Sequence, residues 1–491
     1  MIQRGHGPSG PCPNQYSGQP GRENMENNFD LIIIGAGPGG YVAAVKAAQL
    51  GMKTLVVEKD RAGGTCLNRG CIPTKAMLHA SELFREMKSG EEFGIFAKEL
   101  CFDYGRMLSY RQDVVDKLCG GVEQLFKANG VSYIKGSAVL EKDSSVSVTE
   151  EGEKKSFRAK HVLLAAGSRP ALIPVPGIEQ EGVLTSDELF QLTELPKSLV
   201  IIGGGVIGVE FASVFSSLGV KVTILEVLPS ILANMDKDFA QNLKLILKKR
   251  GVDIHTGVSV TKIERGEEGM SCSYTEKETE QRISAQYVLC AAGRRPNTEG
   301  LFGEGVSIAL ERGRVVVDEH FRTSMEGVYA IGDLIKGMQL AHLASAQGIC
   351  LVEELAGEER SIDLSVVPAC VYTDPEIASI GLTEAQAKEQ GLSFSVGKFM
   401  MSANGKSLIS KEERGFIKIL AEKESGAVLG AQMMCARATD MIGEFGGAVA
   451  NRFTVPALLR AMRAHPTYNE AVGEALEEVF GSSIHSAPKK R

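Results

Sequence analysis

Two stretches of the chain repeat one pattern of apolar and polar positions. From Phe29 a continuous apolar run, FDLIII, breaks at the glycine-rich GAGPGG and continues as an alanine-rich segment. It then reaches a second apolar run, KTLVVE, that ends in Glu58. A short apolar run bounded by glycine predicts a buried strand. The alanine-rich segment predicts a helix whose small side chains lie close to a sheet. From Ser198 the stretch SLVIIGGGVIGVEFASVFSSLGVKVTILE repeats the pattern and ends in Glu226. Gly-x-Gly-x-x-Gly occurs in both, at Gly35, Gly37 and Gly40 and at Gly203, Gly205 and Gly208. Each unit sets its acid 23 residues after the first glycine.

Strand, glycine turn, helix and acid-ended strand are the parts of a dinucleotide-binding βαβ unit. The first glycine permits the tight turn, the second lets backbone approach a pyrophosphate, and the third lets helix and strand pack closely. Amides at the helix N-terminus face the phosphates, and the acid can accept hydrogen bonds from a ribose diol. One such fingerprint is weak. Two, each with its acid in the same register, predict two dinucleotide sites. Packing alone would account for the glycines but not for both acids.

HVLLAAGSRP (161–170) and YVLCAAGRRP (287–296) form a second echo, a strand before Ala-Ala-Gly-x-Arg-Pro. GVYAIGDL (327–334) predicts another strand, ending at Gly332 and Asp333; an Asp there suits a ligand hydroxyl, although alone it is an ordinary turn. From about 364 the texture changes. VYTDPEIASIGLTEAQAKEQG predicts a strand, a turn and a helix starting near Thr383. GFIKILAEKESGAVLGAQMM predicts a hairpin turning at Glu424-Ser425-Gly426. Helices follow in ATDMIGEFGGAVANRF and PALLRAMRA, which makes this part α+β. The fold class read from the pattern is α/β, with two Rossmann-like dinucleotide-binding domains and a C-terminal α+β domain. The divisions fall at 1–28 (extension), 29–165 (first nucleotide domain), 166–293 (second), 294–363 (return to the first), 364–480 (C-terminal domain) and 481–491 (tail).

At 491 residues, 43% hydrophobic and 23% charged, the composition is that of a globular protein. A formal net charge of -7 disfavours nucleic acid as partner, and no apolar run reaches the roughly 18 residues of a membrane span. Residues 1–28 are rich in Gly, Pro, Asn and Gln. They predict a disordered extension without a secretory signal, with Met25 as an alternative start. Arg4 and Arg22 are too few for a convincing transit peptide, and the compartment read is the cytoplasm.

Of ten cysteines only Cys66 and Cys71, in GGTCLNRGCIPTK, are closely paired. Scattered cysteines in a large chain without a signal read as reduced and buried, whereas a close pair suggests metal binding or catalysis. Five residues of regular helix rise about 7.5 Å and turn the side chains some 140° apart, beyond disulfide reach. The segment is therefore expected to be irregular, which Asn68 and Gly70 allow, with Pro73 in the first turn of the following helix. A redox disulfide, a zinc half-site and two unrelated thiols all remain open at this point. The spacing is wrong for the usual Cys-x-x-Cys half-site, no second cluster completes a ligand set, and no metal site is expected.

GGTCLNRGCIPTKAML, the two fingerprints and the C-terminal HPTYNE together resemble the pyridine nucleotide-disulfide oxidoreductases over roughly residues 29–480. Within that family the resemblance is to the branch that oxidises dihydrolipoyl groups. Arg69 stands where many members have valine. The resemblance implies that Cys66 and Cys71 form a redox disulfide beside a flavin. It implies that Gly35, Gly37, Gly40 and Glu58 hold FAD, with Gly136, Asp333 and Ala341 as further contacts. Lys75 would lie near the flavin, paired with Glu210. Gly203, Gly205, Gly208, Glu226 and Gly293 would hold NAD. Glu226 itself would repel a 2′-phosphate, and no Lys or Arg follows it until Lys237, which favours NAD over NADP. His465 and Glu470 would form a base dyad serving the disulfide of a second subunit, in a homodimer joined through 364–480. The implied substrate is dihydrolipoamide, and the implied partners are lipoyl-bearing carriers of E2 or H-protein type. An NADH-dependent disulfide reductase, an NADH oxidase of the same fold, and a docking subunit without turnover are the alternative functions.

Overall fold

The computed structural model describes residues 28–267 and 269–487. The extension up to Asn27, Met25 included, and the basic tail from Pro488 lie outside the described residues.

The first apolar run forms the strand Asn28–Ile34, at the centre of a seven-stranded sheet. It pairs in parallel with Thr54–Glu58 on one side and with Glu153–Leu164 on the other. Leu31, Ile32 and Ile33 are fully buried, as a continuous apolar run covered on both faces requires. Helix α1 (Pro38–Gln49) follows the first glycine loop and buries Gly39, Gly40, Ala43, Ala44 and Ala47. Small residues let it sit close to the sheet. The strand Val328–Ala330, read from GVYAIGDL, pairs with Glu153–Leu164 and so returns to this first sheet.

The second apolar run forms Ser198–Ile202 in a five-stranded parallel sheet, beside Lys221–Glu226 and Tyr287–Cys290. Three helices bear on the site: α2 (Gly64–Arg69), α3 (Cys71–Lys88) and α4 (Val206–Ser217). The Ala-Ala-Gly echoes have a shared structural cause. A Cβ on Gly35 would stand 2.4 Å from the Ala165 carbonyl oxygen, and one on Gly203 would stand 2.5 Å from that of Ala291. Each echo thus packs its alanines against the first glycine of its own nucleotide loop. Beyond the alanines, the strands β1 (Ser168–Pro170) and β2 (Arg294–Pro296) leave the two domains and pair antiparallel with each other.

The C-terminal region is a five-stranded antiparallel sheet carrying helices, among them α5 (Glu470–Glu478). Its hairpin turns between Phe416–Glu422 and Val428–Cys435, around the predicted residues. Thr383 caps the helix Glu384–Glu389 through a reciprocal bond with Gln386. Two details differ from the pattern. The stretch around Tyr372 holds two strands, Ala369–Val371 and Glu376–Gly381, because the chain turns back at Thr373–Pro375. The helix expected in PALLRAMRA covers only Val455–Leu459. Its continuation is irregular up to α5, and Thr467 in that stretch gives its amide to the Glu470 carboxylate.

Candidate active site

The two nucleotide loops are built alike at their first and third glycines and at their acids. Gly35 and Gly203 take positive φ, +107° and +112°, a region that strongly favours glycine. A Cβ on Gly40 or Gly208 would fall about 2 Å from the carbonyl oxygen of its own first glycine. The third glycine therefore sets the close helix–strand approach in both. A Cβ on Gly205 would meet nothing within 4 Å and one on Gly37 only Gly64 Cα at 3.9 Å, and both glycines line one large cavity. The Glu58 carboxylate accepts the amides of Ala36 (2.8 Å) and Asp60 (2.9 Å). That of Glu226 accepts those of Gly204 and, at 2.7 Å, Leu228. Both acids are buried beside the turn they hold, and both line the cavity.

Between the loops lies the cysteine segment. The helix breaks where the spacing required it, at Gly70, so Cys66 lies mid-way along α2 and Cys71 opens α3. A Cβ on Gly70 would meet the Thr65 carbonyl oxygen at 2.9 Å and Cys66 Cα at 3.3 Å. The Asn68 side-chain amide donates to the carbonyls of Ala62 (3.1 Å) and Gly64 (2.9 Å), which folds α2 back on the preceding loop. The Cys119 thiol donates to Asn68 Oδ1 at 3.2 Å. Thr74 Oγ1 donates to the Gly70 carbonyl at 2.7 Å, and Pro73 sits in the first turn of α3.

Cys66 and Cys71 are free thiols that line the same cavity and act on each other's ionisation. The neighbouring Cys66 thiol holds the Cys71 thiol below the ordinary thiol range; burial opposes this, and the nearby Lys75 charge assists. Cys71 in turn, with burial, pushes Cys66 well up. The pair is thus polarised, with the thiolate favoured on Cys71.

Lys75, one turn into α3, reaches Glu210 on α4, with Nζ 2.8 Å from Oε2 and 3.0 Å from Oε1. Glu210 is 3% exposed and also accepts the Tyr372 amide at 3.0 Å. The ammonium lies 4.5 Å from the centre of the Tyr372 ring. Across the cavity Asp333 accepts the Ser168 hydroxyl, which in turn accepts Arg294 Nε at 2.7 Å. Ala341 opens the helix Ala341–Leu355, whose N-terminus faces the cavity, and Gly293 lines it at positive φ.

One cavity of about 1500 Å³ therefore collects Gly37, Glu58, Cys66, Cys71, Lys75 and Glu210 with Gly203, Gly205, Glu226, Gly293, Asp333 and Ala341. Gly35, Gly40 and Gly208 shape its walls from behind. Gly136 is not among the lining residues; its amide donates to the Glu58 carbonyl at 2.9 Å, one layer behind the carboxylate. His465 and Glu470 are also absent from the lining. They pair with each other, His465 Nδ1 to Glu470 Oε1 at 2.8 Å, and the imidazole is 77% exposed. Burial would raise the Glu470 pKa, but the Thr467 amide and the His465 ring outweigh it and hold it below the usual range.

Sequence reasoning missed Ser168, Arg294, Tyr372 and Gln339. Ser168 and Arg294 stood in view, both at the variable position of the two echoes. Tyr372 and Gln339 carry no local signal, since tertiary packing alone brings them here. Gln339 Nε2 is buried without a hydrogen-bond partner and lines the cavity. An orphaned donor, two glycine turns open to the space and two helix N-termini suit large phosphorylated cofactors such as FAD and NAD.

Fold and site define a redox protein: two dinucleotide units, with a polarised thiol pair between them. Residues 29–348 match the pyridine nucleotide-disulphide oxidoreductase family, and 367–476 match that family's dimerisation domain. The chain is 42% identical to a dihydrolipoyl dehydrogenase of Bacillus subtilis, over 93% of this chain and 97% of the relative. It is 40% identical to one of Geobacillus stearothermophilus, over 94% and 98%. Among solved structures, LpdA of Mycobacterium tuberculosis superposes with a TM-score of 0.85 at 28% identity, over 91% of this chain and 99% of that one. The HOCl-induced flavoprotein disulfide reductase RclA of Escherichia coli does so with 0.80 at 29%, over 92% and 99%. The chain belongs to the pyridine nucleotide-disulphide oxidoreductase family.

Proposed function

We propose that this protein is a flavoprotein that oxidises dihydrolipoyl groups to lipoyl disulfides and reduces NAD+ to NADH, with release of one proton. The observation that carries the reading is the Cys66–Cys71 thiol pair, opening on one cavity with both nucleotide loops. The curated relatives named dihydrolipoyl dehydrogenase support the substrate class.

FAD, held by the first loop, supplies the two-electron relay between the thiols and NAD. The chain's own residues do the rest. Glu470 occupies Nδ1 of His465, which leaves Nε2 as the atom that takes the proton from a substrate thiol. The substrate thiolate attacks Cys66 and opens the Cys66–Cys71 disulfide, and Cys71 leaves as thiolate. The second substrate sulfur then attacks the sulfur bound to Cys66, closes the lipoyl disulfide and releases Cys66, which is protonated. The polarity favours that product, with its proton on Cys66 and the charge on Cys71. Lys75, fixed by Glu210, adds positive charge beside Cys71. Glu58 and Glu226 orient ribose hydroxyls, and Glu226 selects NAD against NADP.

His465 lies in the family's dimerisation region and outside its own chain's cavity, so the reading assigns the dyad to the cavity of a second copy in a homodimer. Lipoyl-bearing carriers of E2 or H-protein type are the macromolecular partners. Among the described residues no helix is long and apolar enough to cross a membrane, and the reading assigns the cytoplasm. The domain divisions at 165/166, 293/294 and 363/364 belong to the same proposal. The return of Val328–Ala330 to the first sheet supports them.

The test is anaerobic reduction of the yellow protein by dihydrolipoamide and by NADH, together with NAD+ reduction by dihydrolipoamide. Turnover with dihydrolipoamide that is lost in Cys66→Ser supports the reading. Reduction by NADH alone, with oxygen consumption, would overturn it.

A further inference from the structure

A second histidine–glutamate pair lies beside the first. Glu474 follows Glu470 by four residues on α5, so the two carboxylates leave the same face of the helix one turn apart. Like charges at that spacing repel. Each has its own imidazole: His465 on Glu470 at 2.8 Å, and His485 Nδ1 on Glu474 Oε1 at 2.6 Å.

The second pair is made by the chain folding back after α5. Ser482 bonds the Glu477 carbonyl through its hydroxyl at 3.0 Å. Ser483 Oγ and the His485 amide then both donate to Glu474 Oε2, at 2.7 and 3.0 Å. Glu474 thus receives three hydrogen bonds from two neighbouring residues, one from Ser483 and two from His485, which fixes His485 although its ring is exposed.

The two pairs share a field. His485 lies close enough to help lower the Glu470 pKa, and Glu470 in turn helps raise that of His485. The charged groups that act most strongly on His485 are Glu474, Glu477 and Glu470, all on α5. The cation beside Gly473 on α5, Arg463, is engaged with Glu444 at 2.7 Å.

We propose that His485 is a positioning residue for the reaction: by pairing with Glu474 it neutralises the carboxylate one turn from Glu470, and so sets the pH at which His465 accepts a proton. The inference rests on the reading of His465 as the base. Without the His485 charge, Glu474 stands bare beside the dyad and favours the protonated imidazole of His465. A lysine would neutralise Glu474 as well. A histidine also lets the neutralisation lapse as pH rises through its own titration.

The experiment is the pH profile of kcat/KM for dihydrolipoamide, on the FAD-loaded full chain. The acidic limb reports the base of the free enzyme. His485→Gln is expected to move that limb up by about 0.3–0.5 of a pH unit, the size of one charge acting through largely aqueous surroundings, and high salt should shrink the shift. The double variant H485Q/E474Q removes both charges and should return the limb to its original position. An unmoved limb in H485Q overturns the proposal. So does a shift that persists in the double variant, because it would follow from a displaced tail and not from charge. His465→Gln serves as the reference: full activity there would instead sink the assignment of the base.

Discussion

Lys75 Nζ stands 2.8 Å from Glu210 Oε2, and this one pair ties the cysteine helix α3 to the helix of the second nucleotide loop. Glu210 is almost fully buried, and its remaining partner is the Tyr372 amide. Lys75→Met therefore strands a buried carboxylate. The expected cost is about 2–4 kcal/mol, near the lower end for breaking a buried pair because Lys75 keeps some exposure. It should appear as a lower urea midpoint. Adding Glu210→Gln should recover more than half of the loss. A double variant no more stable than K75M would show that the pair is not coupled.

The twin loops separate the two cofactors. Gly35→Ala drives a methyl into the Ala165 carbonyl, and Gly203→Ala drives one into that of Ala291. G35A should purify colourless or lose its flavin on gel filtration. G203A should stay yellow and lose reduction by NADH. The reverse pattern would swap the assignment of the loops.

Gly70→Ala places a methyl against the Thr65 carbonyl and Cys66 Cα, at the break that lets the two thiols meet. The expected result is a disulfide that closes poorly. Under oxidising conditions the variant should expose two more reactive thiols per chain than the parent protein. Equal thiol counts in the two would refute the role given to the break.

In the reduced protein Cys71 should lose its proton at lower pH than an ordinary thiol, because the Cys66 thiol acts on it. Alkylation by iodoacetamide against pH, mapped by mass spectrometry, gives the midpoint. Cys66→Ala removes that thiol and should move that midpoint upward. Lys75, still in place, should keep part of the depression. An unchanged midpoint in C66A would mean that the lysine alone sets it.

The nucleotide loops were legible in sequence because their physics is local. A glycine at a positive-φ turn, a glycine under a helix and an acid at a strand end each sit within one βαβ unit. The helix break between the cysteines was legible for the same reason, from spacing alone. The Ala-Ala-Gly echoes were visible but mute: only the fold shows that Ala165 and Ala291 press on Gly35 and Gly203. Tyr372 and Gln339 were not legible, because each reaches the cavity from a distant segment. The short helix after Val455 was over-read, since its apolar spacing continues past the point where the chain turns to bring Thr467 to Glu470.

The joint between β1 and β2 has a symmetry of its own. Ser168 and Arg294 hold the same place in the two echoes, as do Arg169 and Arg295, and Pro170 and Pro296. Across the joint Ser168 faces Pro296, Arg169 faces Arg295, and Pro170 faces Arg294. A two-fold axis between Arg169 and Arg295 imposes this pairing on two copies of one strand. The contact is self-complementary: each strand presents to the other the same three positions that it receives, so neither side has a face of its own.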